Sequence, residues 1–128
     1  MLVPITAAYA AILGILTTAL AINVTMHRTK LGVEVGDGGN PQMLRMMRLH
    51  GNAAEYVPLA LLLMLTFEIN RGSHPTLQAA GIALVAGRVL HAWGFWKSAV
   101  PNFGRVAGQG LTWLTTLVLA ILNFEIIL

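Results

Sequence analysis

The chain has no cysteine. Disulfides, thiolate metal sites and a cysteine nucleophile are thereby excluded, and any thiol chemistry must be brought by a substrate. Charge is the next scarcity: 10% of the 128 residues are Asp, Glu, Lys or Arg, against 56% hydrophobic. A soluble domain of this size needs a polar skin that so few charges do not supply, so the composition defines an integral membrane protein. The net charge of +3 is small and most basic residues fall in two clusters, which argues against nucleic acid as a partner. The four histidines are not closely paired, so no metal site is expected. No basic segment precedes the first apolar run, Val3 to Met26, which is too long for a signal-peptide core. It has the length of a bilayer span, ~20 residues.

What is present is a single domain, residues 1–128, with four apolar stretches at about 3–26, 41–69, 75–97 and 104–125. These predict an all-α fold, a membrane-embedded four-helix bundle. The first connection, "HRTKLGVEVGDGGNP", reads as a polar loop. Its Asp37-Gly38-Gly39-Asn40 is turn chemistry, and Pro41 suits the first turn of a helix. "NRGSHP" and "SAVPNFG" supply the other two turns. Lone glycines and prolines within the spans are ordinary for membrane helices. The first loop and its flanks hold Arg28, Lys30, Arg45 and Arg48, and the third holds Lys97 and Arg105, whereas the second has Arg71 beside Glu68. The positive-inside rule then puts loops one and three in the cytoplasm and both termini on the opposite side.

Against this background the stretch "RMMRLHGNAAEYVPL", residues 45–59, stands out. On a helix, Arg45, Arg48, Asn52 and Glu55 share an arc of about 100°. A charge at mid-bilayer costs ~2.5–3.5 kcal/mol, so this stripe is expected to face protein or a wet cavity rather than lipid. Helix three brings Arg88 and His91, one turn apart. Counted from the helix ends, Arg88 lies ~13 Å and Arg48 ~10 Å below the same membrane face. With Arg28 and Arg105 they would surround a cytoplasmic cavity in which Glu55 is the one acid, an imbalance that suits an anionic ligand. The bland alternative is an interhelical ion-pair cluster of Arg48, Arg88 and Glu55. Likewise Asn52 alone reads as interhelical glue, His91 as a packed histidine, and Met43, Met46 and Met47 as packing.

The segment "GDGG…LRMMRLHGNAAEYVPLALLL", followed by "GRVLHAWG", resembles the MAPEG family, membrane-associated proteins in eicosanoid and glutathione metabolism, in its bacterial branch. The resemblance implies a homotrimer in a bacterial inner membrane, with glutathione between protomers near the cytoplasmic surface. Matched by position, Arg48, Asn52, Glu55 and Tyr56 would contact the peptide. Arg88 and His91 fall where the family places further contacts. Arg28 matches a family arginine at the end of helix one, and His50 stands where some members have glutamine. Arg105 is the expected catalytic residue: a thiol of pKa ~8.5 is mostly protonated at neutral pH, and a nearby arginine favours the thiolate. The leukotriene-synthesising members carry tyrosine where this chain has His91, which argues against a leukotriene-like substrate. The implied activity is glutathione transfer to an apolar electrophile arriving through the lipid bilayer, or reduction of a lipid hydroperoxide, with no metal. One alternative is a non-catalytic glutathione- or lipid-binding protein of the same fold. Another, a small multidrug transporter, would place its glutamate in the first span, which here has no charge.

Overall fold

The structure, a computed structural model, describes residues 2–128. It has four helices, α1 (Pro4–Leu31), α2 (Pro41–Ile69), α3 (His74–Lys97) and α4 (Phe103–Ile127), and no strand among the described residues. All four are long and apolar enough to cross a membrane. Even the 24 residues of α3 rise ~36 Å, more than the ~30 Å hydrocarbon thickness. Large apolar side chains stand exposed on every helix, among them Ile15, Leu62, Ile82 and Leu117. This outward display suits lipid as the surrounding solvent. α2 touches each of the other three helices, while among the described residues the backbones of α1 and α4 do not approach one another.

The helix ends follow local chemistry. Asn40 caps α2, its Oδ1 accepting from the backbone N–H groups of Gln42 at 2.9 Å and Met43 at 3.1 Å, with Pro41 next in line. α1 runs past the expected residue 26 to Leu31, so "HRTKL" is helix rather than loop. The reason lies at Gly32, which takes φ 66° and lets the Val33 N–H reach the Arg28 carbonyl at 3.1 Å, a glycine-terminated cap. α2 closes the same way without glycine: Arg71 takes φ 62° so that the Gly72 N–H reaches the Phe67 carbonyl at 2.8 Å.

Two packing features position everything else. α3 and α4 meet backbone to backbone. A Cβ placed on Gly108 would lie 2.5 Å from both the Gly87 carbonyl oxygen and the His91 backbone nitrogen. Gly94 and Gly104 are equally closed, against Arg105 and Asn102 in one case and Trp93 and Leu90 in the other. Gly104 and Gly108 form a small-xxx-small pair, the spacing that lets membrane helices approach this closely. These glycines are thus the contact surface itself, not the neutral fillers that their isolation in sequence implies.

The second feature is Glu68. Noted in sequence only as a neighbour of Arg71, it is buried near the end of α2, where its carboxylate accepts from Ile5 N–H at 2.9 Å and Thr6 N–H at 2.7 Å. These donors are among the orphan N–H groups of the first turn of α1, whose own N-cap Val3 has no side chain to satisfy them. Glu68 is therefore a cap supplied from another helix. Glu68→Ala is expected to lower stability by about 2 kcal/mol. Glu68→Gln, which keeps one acceptor oxygen, should lose less. Thermal unfolding in detergent measures both. Around Glu68 lies the larger apolar core, with Ile5, Leu13, Met64, Phe67, Leu77 and Leu84. A smaller cluster of Leu20, Leu49, Ala53, Ala92 and Phe95 fills the other end.

Candidate functional site

The smaller core is small because a cavity of about 480 Å³ opens beside it. α2 contributes Arg45, Arg48, Asn52 and Tyr56, α3 contributes His91 and Phe95, and α4 contributes Arg105, Gln109 and Trp113. The α2 residues recur at three- and four-residue intervals, which puts them on one helical face. Arg105 is held at the first turn of α4 by Asn102. The Asn102 Oδ1 accepts from the Arg105 backbone N–H at 3.2 Å, while its Nδ2 donates to the Gly94 carbonyl at 2.7 Å, tying α4 to the end of α3. The Arg105 guanidinium stacks 3.8 Å above the Phe95 ring and donates to the Ala99 carbonyl at 3.0 Å, which fixes the charge against the cavity wall. The His91 ring packs on Phe95 at 4.9 Å between centroids, and Tyr56 meets Trp113 at 6.5 Å.

Three guanidinium-bearing residues line this cavity and, among the described residues, no carboxylate does. Its wall also carries buried polar atoms without a protein partner: Arg45 Nε, Asn52 Oδ1, and both Nε2 and Oε1 of Gln109. Buried polar groups are ordinarily satisfied, and each one left open costs ~1–3 kcal/mol. Unbalanced positive charge beside open donors and acceptors is the arrangement that an anionic, peptide-like ligand completes. A second, more apolar groove of about 260 Å³ shares His91, Arg105, Gln109 and Trp113 and adds Pro101 and Val106. Both spaces therefore meet at Arg105.

Of the residues expected from sequence, the fold brings Arg48, Asn52, Tyr56, His91 and Arg105 to one cavity. Arg28, His50, Glu55 and Arg88 do not line it. Arg28 turns back on its own loop, donating to the Gly36 carbonyl at 2.8 Å and to Glu34 at 3.4 Å. Arg88 is buried behind His91, with Nη2 3.2 Å from the His91 Nδ1 and with Nε and Nη1 unpartnered. With Nη2 on His91 and the other donors open, Arg88 makes no hydrogen bond to Glu55, so the ion-pair cluster is not formed by this pair among the described residues. Glu55 is exposed on α2 away from the cavity, and Arg48, though it lines the cavity, is exposed as well. Sequence reasoning did not single out Gln109, Phe95 or Trp113 for the cavity. Gln109 had a signal, a polar amide one turn after Arg105 within an otherwise apolar stretch.

A four-span helical membrane protein with an arginine-lined cavity between its second, third and fourth helices is thereby defined. The chain belongs to the MAPEG family, whose profile matches residues 6–124. It is similar to the inner membrane protein YecN of Escherichia coli strain K12, with 34% identity over 119 residues covering 93% of this chain and 89% of that protein. It is also similar to the uncharacterized protein sll1147 of Synechocystis sp. strain PCC 6803, with 32% identity over 113 residues, 87% of this chain and 79% of the relative.

Proposed function

We propose that this protein binds glutathione in the arginine-lined cavity, as a homotrimer in a bacterial inner membrane, and activates its thiol against apolar electrophiles. One observation carries the reading: Arg45, Arg48 and Arg105 share a cavity with no carboxylate in its wall. Glutathione has two carboxylates against one ammonium, and ionising its thiol adds a further negative charge. Membership of a family with glutathione-related members supports the choice of peptide. Trimerisation has its own support in the exposure of Arg48 and Glu55 on a membrane helix, where lipid contact is costly and a second copy would cover them. Arg28, His50 and Glu55 would join the site only through that neighbour, Glu55 opposite the ammonium. The positive-inside distribution supports a cavity at the cytoplasmic face, where the tripeptide is dissolved.

In this reading Arg48 and Arg45 hold carboxylates, Asn52 and Tyr56 hydrogen-bond the peptide, and Arg105 stabilises the thiolate. The adjoining groove holds the electrophile. Sulfur attacks the electrophilic carbon and the leaving group departs with its electron pair. With a hydroperoxide, sulfur attacks the outer oxygen, the O–O bond breaks and the alcohol leaves. A second glutathione then converts the sulfenic acid to disulfide and water. Calorimetry on detergent-solubilised protein tests the binding step. Wild type should bind, and Arg48→Ala should bind at least about tenfold more weakly, the loss of one charged hydrogen-bonding partner. No heat at millimolar glutathione would remove the reading. Binding without turnover of any electrophile or hydroperoxide would leave a non-catalytic binding protein.

A further inference from the structure

Arg88 heads the fully buried side chains by volume, yet it has no share in the cavity wall. Its hydrogen bond runs from Nη2 to His91 Nδ1, 3.2 Å away and one helical turn further on. A guanidinium has donors only and keeps its proton, so the imidazole Nδ1 must be the acceptor. An accepting Nδ1 carries no hydrogen. A neutral imidazole then has its one proton on Nε2, while a doubly protonated ring would set N–H against N–H with no acceptor between them. The other guanidinium donors have no protein partner to draw Arg88 elsewhere. Phe95 closes on the ring at 4.9 Å, which limits its rotation. His91 itself reaches both the cavity and the adjoining groove, beside Arg105.

We propose that Arg88 is a positioning residue that locks His91 in the Nε2–H tautomer, so that His91 presents a fixed hydrogen-bond donor to the sulfur of a bound thiol and does not act as its base. This rests on the thiol-binding reading above and assigns the two residues different tasks within it. With its proton on Nε2 and the Nδ1 lone pair engaged by Arg88, the ring has no free lone pair with which to take a proton. When the thiol ionises, the S–H bond breaks, the electron pair stays on sulfur, and the proton passes to water at the open mouth of the cavity. The thiolate is then held by the Nε2–H and by the Arg105 charge.

The direct test is 15N NMR of histidine-labelled wild-type protein in nanodiscs, with the His91 signals assigned by their loss in His91→Gln. Expected is a bare Nδ1 and a protonated Nε2 at neutral pH, with the ring released to a mixture of tautomers in Arg88→Met. A protonated Nδ1 in wild type would overturn the proposal. The second arm is kinetic and does not need the Arg88 variant to fold. His91→Gln keeps an N–H donor but offers no base, so it should retain a third or more of kcat/KM, whereas His91→Phe should lose about tenfold, with the bound-thiolate absorbance falling in step. Equal losses of about 100-fold in both variants would mean that His91 serves as the base. Glutathione calorimetry on wild type separates the two levels: absent binding removes the parent reading, while normal binding with the wrong tautomer removes this inference alone.

Discussion

Arg105→Ala is expected to leave glutathione binding nearly intact and to reduce kcat/KM by about 10²–10³-fold, the usual loss when one donor to a developing or stabilised anion is removed. The bound-thiolate absorbance in the near ultraviolet should vanish with it. The expectation follows from how the guanidinium is held. It is stacked at 3.8 Å on Phe95 and anchored at 3.0 Å to Ala99, so little ordering remains to be done when the ligand arrives. Arg105→Lys restores the charge but neither the planar stack nor the fork, and should fall between wild type and alanine. An Arg105→Ala protein that keeps its thiolate signal would assign that task to another group, with Arg45 and Arg48 the remaining cavity arginines.

The second large effect concerns no charge at all. Gly108→Ala adds one methyl group where the Gly87 carbonyl oxygen and the His91 nitrogen and Cα already stand within 2.9 Å of the new atom. These are backbone atoms, which move only if α3 and α4 separate. A destabilisation of about 3 kcal/mol or more is expected, at the upper end for overpacking. Glutathione affinity should fall with it, because His91 and Arg105 come from the two helices that are forced apart. Gly110→Ala, two residues along the same helix, is the matched control. A Cβ there meets nothing within 4 Å, and the change should be neutral or stabilising by about 0.5–1 kcal/mol through helix propensity. Unfolding in detergent, followed by helical circular dichroism, compares the pair. Similar stabilities for the two variants would show that the α3–α4 contact has slack.

The contrast between these residues shows what one-dimensional pattern reading reaches. The number of spans and the start of α2 were legible, because hydropathy and the Asn40–Pro41 cap act within a few residues of themselves. The polar face of α2 was legible for the same reason: helical periodicity alone aligns Arg48, Asn52 and Tyr56. The end of α1 was not, since "HRTKL" is polar enough to read as loop, and hydropathy does not register that Gly32 stops the helix five residues later. Glu68 was noted only as the acid beside Arg71 at the end of the second span, because its partners, Ile5 and Thr6, lie more than sixty positions away. Depth along an axis placed Arg88 level with the cavity but carries no rotational information, and the side chain points behind His91 instead. Arg28 had the right depth too, yet its own loop carbonyls claim it. The glycine contact between α3 and α4 was invisible for a simpler reason: a close approach is a property of two surfaces, and each was seen alone.

That contact has a mechanical consequence. Where two helices touch backbone to backbone they move as one piece, so His91, Phe95, Arg105 and Gln109 form a stiff jaw with constant spacing. Arg45, Arg48, Asn52 and Tyr56 sit on the opposing jaw, α2, and among the described glycines none brings α2 into such backbone contact with α3 or α4. On the proposed thiol-binding reading, guests of different bulk would be accommodated by yielding on the α2 side, and the distance from sulfur to its stabilising charge would stay the same for each of them.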